Sequence, residues 1–286
     1  MFDEDPDKPS LIPPAERPLT IPAAVLWFLV AMMGSILLIA VTTAIRPGSQ
    51  TDLVNAVACQ AAAYVLALTL LVRIHAAHKP LTTILGLRGT HPLFYPLAAL
   101  LGLSLQVPAE LLQRLVFKVA PMDPKLAELQ AEMLRMDTTL SRIMIPLAVI
   151  VVGPVVEEAF FRGALFSGLR QRNSAVMSVV VVSALFAGAH YSIKLFIPLF
   201  VVGAVVTLLR SASGSLWPPL IAHLVFNAVT VVAMGFGWVS LDADPEPLPV
   251  ALSIGGVITS LVLLGAMLAL SRRSDLARRA QQQDSS

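Results

Sequence analysis

Apolar positions in this chain run in long blocks, neither alternating nor recurring every three to four residues, and the polar positions collect between the blocks. Blocks of roughly 17 to 25 residues are long enough to cross about 30 Å of hydrocarbon as helix. About eight can be laid on the chain by that criterion. They fall at 22–45, 51–73, 92–119, 142–168, 174–191, 194–210, 215–237 and 249–271. The predicted fold is therefore all-α, a polytopic membrane helical bundle with about eight transmembrane helices.

Three regions follow. Residues 1–20 are acidic and rich in proline, and are expected to be a disordered cytoplasmic segment. Residues 21–271 form the transmembrane domain, with a catalytic core at about 140–235. Residues 272–286 form a basic and polar cytoplasmic tail. The placement of the ends rests on basic residues. Arg73, Lys79, Arg88, Arg170, Arg172, Arg210, Arg272, Arg273, Arg278 and Arg279 fall on one side of an eight-span arrangement, and Asp242, Asp244 and Glu246 on the other. Basic loops stay in the cytoplasm. Both termini are expected there, in the plasma membrane of a prokaryote, with the terminal arginines near anionic lipid.

Composition agrees with a membrane protein: 56% of residues are hydrophobic and 13% charged. A net charge of +2, spread over loops, gives no reason to expect nucleic acid. The single cysteine, Cys59, excludes an internal disulfide and a cysteine-rich metal site.

Against this apolar background a few polar residues stand out, because an ionised group at mid-membrane costs at least about 2.5 kcal/mol. The first group is PVVEEAFFRG at 154–163. On a helix Glu158 and Arg162 share a face four residues apart, whereas Glu157 is turned about 100° away. Glu158 is expected to be ionised and positional, braced by Arg162. Glu157 should point into the bundle, where it needs a polar partner or water, and it is the candidate general base. The second group is FAGAH at 186–190, ending in His190 after small residues that permit close packing. The third is HLVFN at 223–227, where His223 and Asn227 again share a face. Each alone reads as easily as a structural contact. Together they can line one interior cavity from three helices.

One mismatch accompanies this grouping. At 1.5 Å per residue, Glu157 and His190 lie about 15 to 25 Å from the cytoplasmic ends of their spans, and His223 only about 12 Å. They meet if the fourth and fifth helices extend past the bilayer, or if GSLWPP at 214–219 dips inward.

Such a set can hydrolyse an amide, which needs an activated water and donors for the developing oxyanion. In one version Glu157, assisted by His190, takes a proton from water, and His223 with Asn227 donates to the oxyanion without a metal. In the other, Glu157, His190 and His223 hold Zn2+, which leaves a fourth position for water. The sequence contains no H-E-x-x-H and no G-x-S-x-G, and no adjacent Gly-Asp marks an aspartyl type.

These residues, Glu157-Glu158-Ala-Phe-Phe-Arg162, Phe186-Ala-Gly-Ala-His190 and His223-Leu-Val-Phe-Asn227, resemble the motifs of the CPBP intramembrane protease family, also called the CAAX amino-terminal protease or Abi family. The resemblance covers roughly 140–235. It implies a membrane endopeptidase acting on a peptide or lipidated protein. Eukaryotic members remove the last three residues of prenylated CAAX proteins, and prokaryotic relatives are associated with peptide maturation, bacteriocin self-immunity and regulated proteolysis. Carried onto this chain, Glu157 and His190 would activate water, His223 and Asn227 would stabilise the oxyanion, and Glu158 and Arg162 would brace the site. Both Zn2+ and metal-free mechanisms stay open. A non-catalytic immunity or binding protein that keeps the cluster for structure is the alternative. A coupled transporter ranks below both, because no matching broken halves are visible.

Glu110 and Arg114, four apart, are expected to pair within one helix. His75, His78 and His91 are assigned no role, and Lys194 is expected to snorkel at a helix end.

Overall fold

The computed structural model describes residues 18–235 and 248–284, which are helical and contain no strand. The helices are α1 (Ile21–Ile45), α2 (Leu53–His75), α3 (Leu81–Leu85), α4 (Phe94–Ser104), α5 (Gln106–Val119), α6 (Pro124–Met133), α7 (Thr139–Leu169), α8 (Ala175–Gly188), α9 (Phe196–Ser213), α10 (Trp217–Gly235) and α11 (Val250–Asp284). Six helical stretches are long and apolar enough to cross a membrane: α1, α2, the α4 and α5 pair, α7, α9 and the Val250–Arg273 part of α11. Two shorter apolar helices, Ala175–Gly188 and Trp217–Ala233, complete the eight segments expected from sequence. The chain is an integral membrane protein.

Helix starts follow side-chain chemistry. Thr20 accepts from the Ala23 amide at 3.3 Å to open α1, Asp52 accepts from Asn55 at 3.1 Å to open α2, and Ser174 accepts from Met177 at 3.1 Å to open α8. The expected third span is two helices meeting at Leu105. The break has a cause in Pro108, which lacks the N–H that would bond the Ser104 carbonyl.

The central element is α7. It widens twice into π-helical turns, at Leu147–Val152 and Ala159–Leu165, on either side of the two glutamates. Its residues 160–166 are all buried, so this turn has no lipid-facing side. Tyr64 of α2 packs on the Phe160 and Phe161 rings at 5.0 and 5.8 Å. Leu85 of α3 lies against Gly163, where an added Cβ would come within 2.6 Å of its Cδ2 atom.

The loop before α10 is clasped by the segment that follows α3. Leu216 N donates to Gly86 O at 3.0 Å, Ser215 Oγ to Arg88 O at 2.6 Å, Arg88 Nε to Gly214 O at 2.7 Å, and Thr90 Oγ1 to Ser213 O at 2.9 Å. Gly86 and Gly214 both sit in the left-handed region, at φ 70° and 66°, which L side chains rarely adopt. Ser215 and Leu216 are buried by this clasp.

Two further differences from the sequence reading stand out. Arg210, counted among loop charges, lies inside α9 and is buried; its Nε donates to Arg162 O at 3.2 Å and its Nη2 to Ser167 Oγ at 3.1 Å. The last helix continues through Asp284, past the expected boundary at 271. The expectations for residues 1–17 and for the acidic 242–246 loop lie outside the described residues.

Candidate active site

The two glutamates sit between the widened turns of α7 and diverge as an ordinary helix turn requires. Glu158 Oε1 accepts from Arg162 Nη1 at 2.9 Å, and both side chains are fully buried. Arg162 spends its remaining donors on α9, Nε to Thr207 Oγ1 and Nη2 to Gly203 O, each at 3.1 Å, and its guanidinium lies 4.2 Å over the Phe186 ring. A buried ion pair withstands desolvation only when its other polar atoms are also engaged. Here the arginine meets that condition. Glu158 meets it in part, since its Oε2 is buried with no hydrogen-bond partner among the described residues.

Glu157 faces the other way. Its Oε1 accepts from Gln60 Nε2 of α2 at 3.1 Å, and its Oε2 stands 3.8 Å from His223 Nε2. His223 Nδ1 lies 2.9 Å from Glu158 Oε1. A carboxylate oxygen can only accept, so Nδ1 carries the proton and Nε2 is the nitrogen offered toward Glu157. His223 thus bridges the two glutamates, which neither sequence-based version foresaw.

His190 ends α8. The chain leaves the helix through Tyr191, which holds a φ of 53°. His190 Nδ1 lies 3.0 Å from Phe186 O of its own helix, which leaves Nε2 for the cavity. Asn227 lies one turn beyond His223, and its Nδ2 donates to Val149 O at 2.8 Å. In the first widened turn Gly153 N bonds Ala148 O, and the next amide would serve Val149, but residue 154 is proline. Asn227 therefore caps a carbonyl that the helix cannot satisfy by itself. One N–H of its amide remains. Gln106 of α5 steadies this part of α10 by donating to Phe226 O at 2.5 Å and accepting from Thr230 Oγ1 at 3.2 Å.

Glu157, His190, His223 and Asn227 all line one cavity of about 180 Å3, together with Gln60, Pro154 and Phe226. A water needs about 10 to 15 Å3 of such space, so the cavity admits several. Apolar walls from Val57, Leu105, Leu199, Val202 and Val206 surround the polar side. No group of three or more His, Cys, Asp or Glu side chains is gathered at metal-binding geometry among the described residues, Glu157, His190 and His223 included.

Sequence reasoning missed Gln60 and Gln106. Each is an uncharged amide within an apolar block, and that was the available signal. The expected Glu110 and Arg114 pair forms within α5 at 2.6 Å, and Lys194 at a helix end donates to Pro121 O. Trp27 Nε1 donates to His75 Nε2 at 3.0 Å on a part of the protein distant in sequence from the motifs.

The sequence model described as type II CAAX prenyl endopeptidase Rce1-like matches residues 139–229, from the first residue of α7 into α10. That stretch holds both glutamates, Arg162, both cavity histidines and Asn227. Through these residues the chain resembles the CPBP family. A relative, YdiL, a candidate membrane peptidase of Bacillus subtilis (strain 168), is 29% identical over 91 residues, which are 31% of this chain and 37% of that protein. The aligned part is thus well under half of either chain. No solved structure matches. Both α2, with Gln60, and α5, with Gln106, lie outside the matched residues 139–229.

Proposed function

We propose that this protein is an intramembrane endopeptidase that hydrolyses a peptide bond with a water activated by Glu157. One observation carries the reading: the carboxylate held between Gln60 and His223 opens on the same cavity, roomy enough for several waters, as His190 and Asn227. Glu157, with His190 across the cavity, removes a proton from water. The resulting hydroxide adds to the substrate carbonyl carbon. The oxyanion receives hydrogen bonds from the protonated form of His223, through Nε2, and from the second N–H of Asn227. Collapse of the tetrahedral intermediate breaks the C–N bond, and the leaving amine takes the proton from Glu157. Glu158 and Arg162 hold the helices and His223 in place.

The zinc version, with Glu157, His190 and His223 as ligands, is the alternative that the chelator arm of the test below decides. Apolar cavity walls suit a substrate with an aliphatic or lipidated segment, so the partners proposed are a peptide or lipidated protein and membrane lipid, with no nucleic acid. Both termini are assigned to the cytoplasm of a prokaryotic cell on the distribution of arginines. Three regions are proposed: a leading segment to residue 20, a transmembrane domain over 21–271 with its core at about 140–235, and a basic tail.

The Glu158, Arg162, Thr207 and Gly203 network favours a second reading, a non-catalytic immunity or binding protein that keeps the cluster to fasten helices. The test compares purified wild type with Glu157→Gln on quenched peptides with and without a C-terminal isoprenoid, before and after a strong chelator. Cleavage lost in Glu157→Gln and retained with the chelator is the expected result. Chelator-sensitive cleavage would transfer the role to a metal, and cleavage that survives Glu157→Gln would sink the reading.

A further inference from the structure

We propose that Gln60 of α2 is a positioning residue for hydrolysis, orienting the Glu157 carboxylate, so that the site is completed by a span outside the motif-bearing segment. This inference rests on the reading of Glu157 given above.

Glu157 has two oxygens and two neighbours. Oε1 accepts from Gln60 Nε2 at 3.1 Å, and Oε2 is the oxygen turned toward His223. A carboxylate on a long side chain has rotational freedom that a single 3.8 Å contact does not remove. A base must present one oxygen to its water within hydrogen-bond reach, about 2.6 to 3.2 Å. The Gln60 amide supplies the missing constraint: with Oε1 committed, the second oxygen has one direction left. Positions 139–229 contribute no hydrogen bond to Oε1 among the described residues.

Gln60 is itself held. One turn further along α2, Tyr64 is wholly buried, donates to Met32 Sδ of α1 at 3.5 Å, and packs on Phe160 and Phe161, which follow the glutamates on α7. On the opposite side, Ala63 abuts Gly34 of α1, where an added Cβ would lie 3.3 Å from the Ala63 Cβ. These contacts fix α2 against both neighbours at the level of Glu157. Val57, one turn before Gln60, lines the same cavity. An amide in an apolar span without a partner is costly, and the partner chosen here is the candidate base.

The decisive variant is Gln60→Met, which keeps length and shape and removes the N–H donor. Two readouts separate contact from role. The infrared band of the Glu157 carboxyl, isolated as the difference between wild type and Glu157→Gln, should move in the Gln60→Met background; an unmoved band overturns the contact and the proposal. On whichever quenched peptide the wild type cleaves, Gln60→Met should lower kcat at least ten-fold with KM within two-fold and an unchanged melting temperature. Gln60→His, which restores a donor at similar reach, should recover part of the loss. Wild-type kcat in Gln60→Met, with Glu157→Gln inactive, overturns the role and leaves the protease reading standing. Activity in Glu157→Gln overturns both, whatever the band does. If Gln60→Met melts lower, the kcat ratio between Gln60→Met and Gln60→His at equal folded fraction decides, and a ratio near one counts against the proposal.

Discussion

Asn227 Nδ2 donates at 2.8 Å to the carbonyl of Val149, the group on α7 that Pro154 leaves without a following amide. The proline widens the helix just before the glutamates, and the asparagine on α10 mends the gap. Two helices are thereby locked at the level where His223 meets Glu157 and Glu158.

Removing the amide should cost stability as well as turnover. Asn227→Ala leaves the part-buried Val149 carbonyl without this donor, a loss of about 1 kcal/mol, the low end of the range for an unpaired buried group. Thermal unfolding in detergent should show this, and the double variant Asn227→Ala with Pro154→Ala should recover part of it, because residue 154 regains an N–H. Equal melting of single and double variants would count against the link.

Arg162 predicts a stronger effect. Arg162→Met leaves Glu158 buried without its partner, and breaking a buried pair from one side costs about 3 to 5 kcal/mol. Replacing both, as Glu158→Gln with Arg162→Met, should restore much of the melting temperature. It should not restore cleavage, because a neutral amide holds the His223 Nδ1–H less firmly than a carboxylate and can turn its own N–H there instead. A double variant that melts no higher than Arg162→Met would reject this account.

Gly102→Ala tests how His223 is aimed. An added Cβ on α4 would overlap the Ala222 carbonyl oxygen and approach its carbonyl carbon and Cα at 3.1 Å, next to His223. Backbone cannot swing aside as a side chain can, so α10 must shift. Cleavage should fall at least ten-fold, with a lowered melting temperature, whereas Gly89→Ala, which meets nothing within 4 Å, should behave as wild type. Unchanged cleavage in Gly102→Ala would argue that the His223 position is not critical.

Much of the candidate site was legible because membrane cost makes polar residues conspicuous. Glu157, Glu158, Arg162, His190, His223 and Asn227 stood out in apolar blocks, and their four-residue spacings named the Glu158 and Arg162 pair correctly. Gln60 was not legible as a partner, since an amide in an apolar run specifies neither the helix it meets nor a residue 97 positions away. The widened turns of α7 were hidden for another reason: face assignments assume 3.6 residues per turn, and only Pro146 and Pro154 hinted that this would fail. The pairing of His223 with both glutamates depended on that widening and on a buried loop. Neither has a periodicity to read.

That loop also bears on how the protein comes to be built. In its clasp every acceptor is a main-chain carbonyl, and the partners of the Arg88, Ser215 and Thr90 bonds are 123 to 127 residues apart in sequence. Residues 86–90 therefore leave the ribosome long before 213–216 exist to hold. The segment that seats His223 joins only when α4 to α9 have already been made, so the cavity closes around its histidine after them, and a chain truncated before residue 213 would carry both glutamates without the cavity they share with His223.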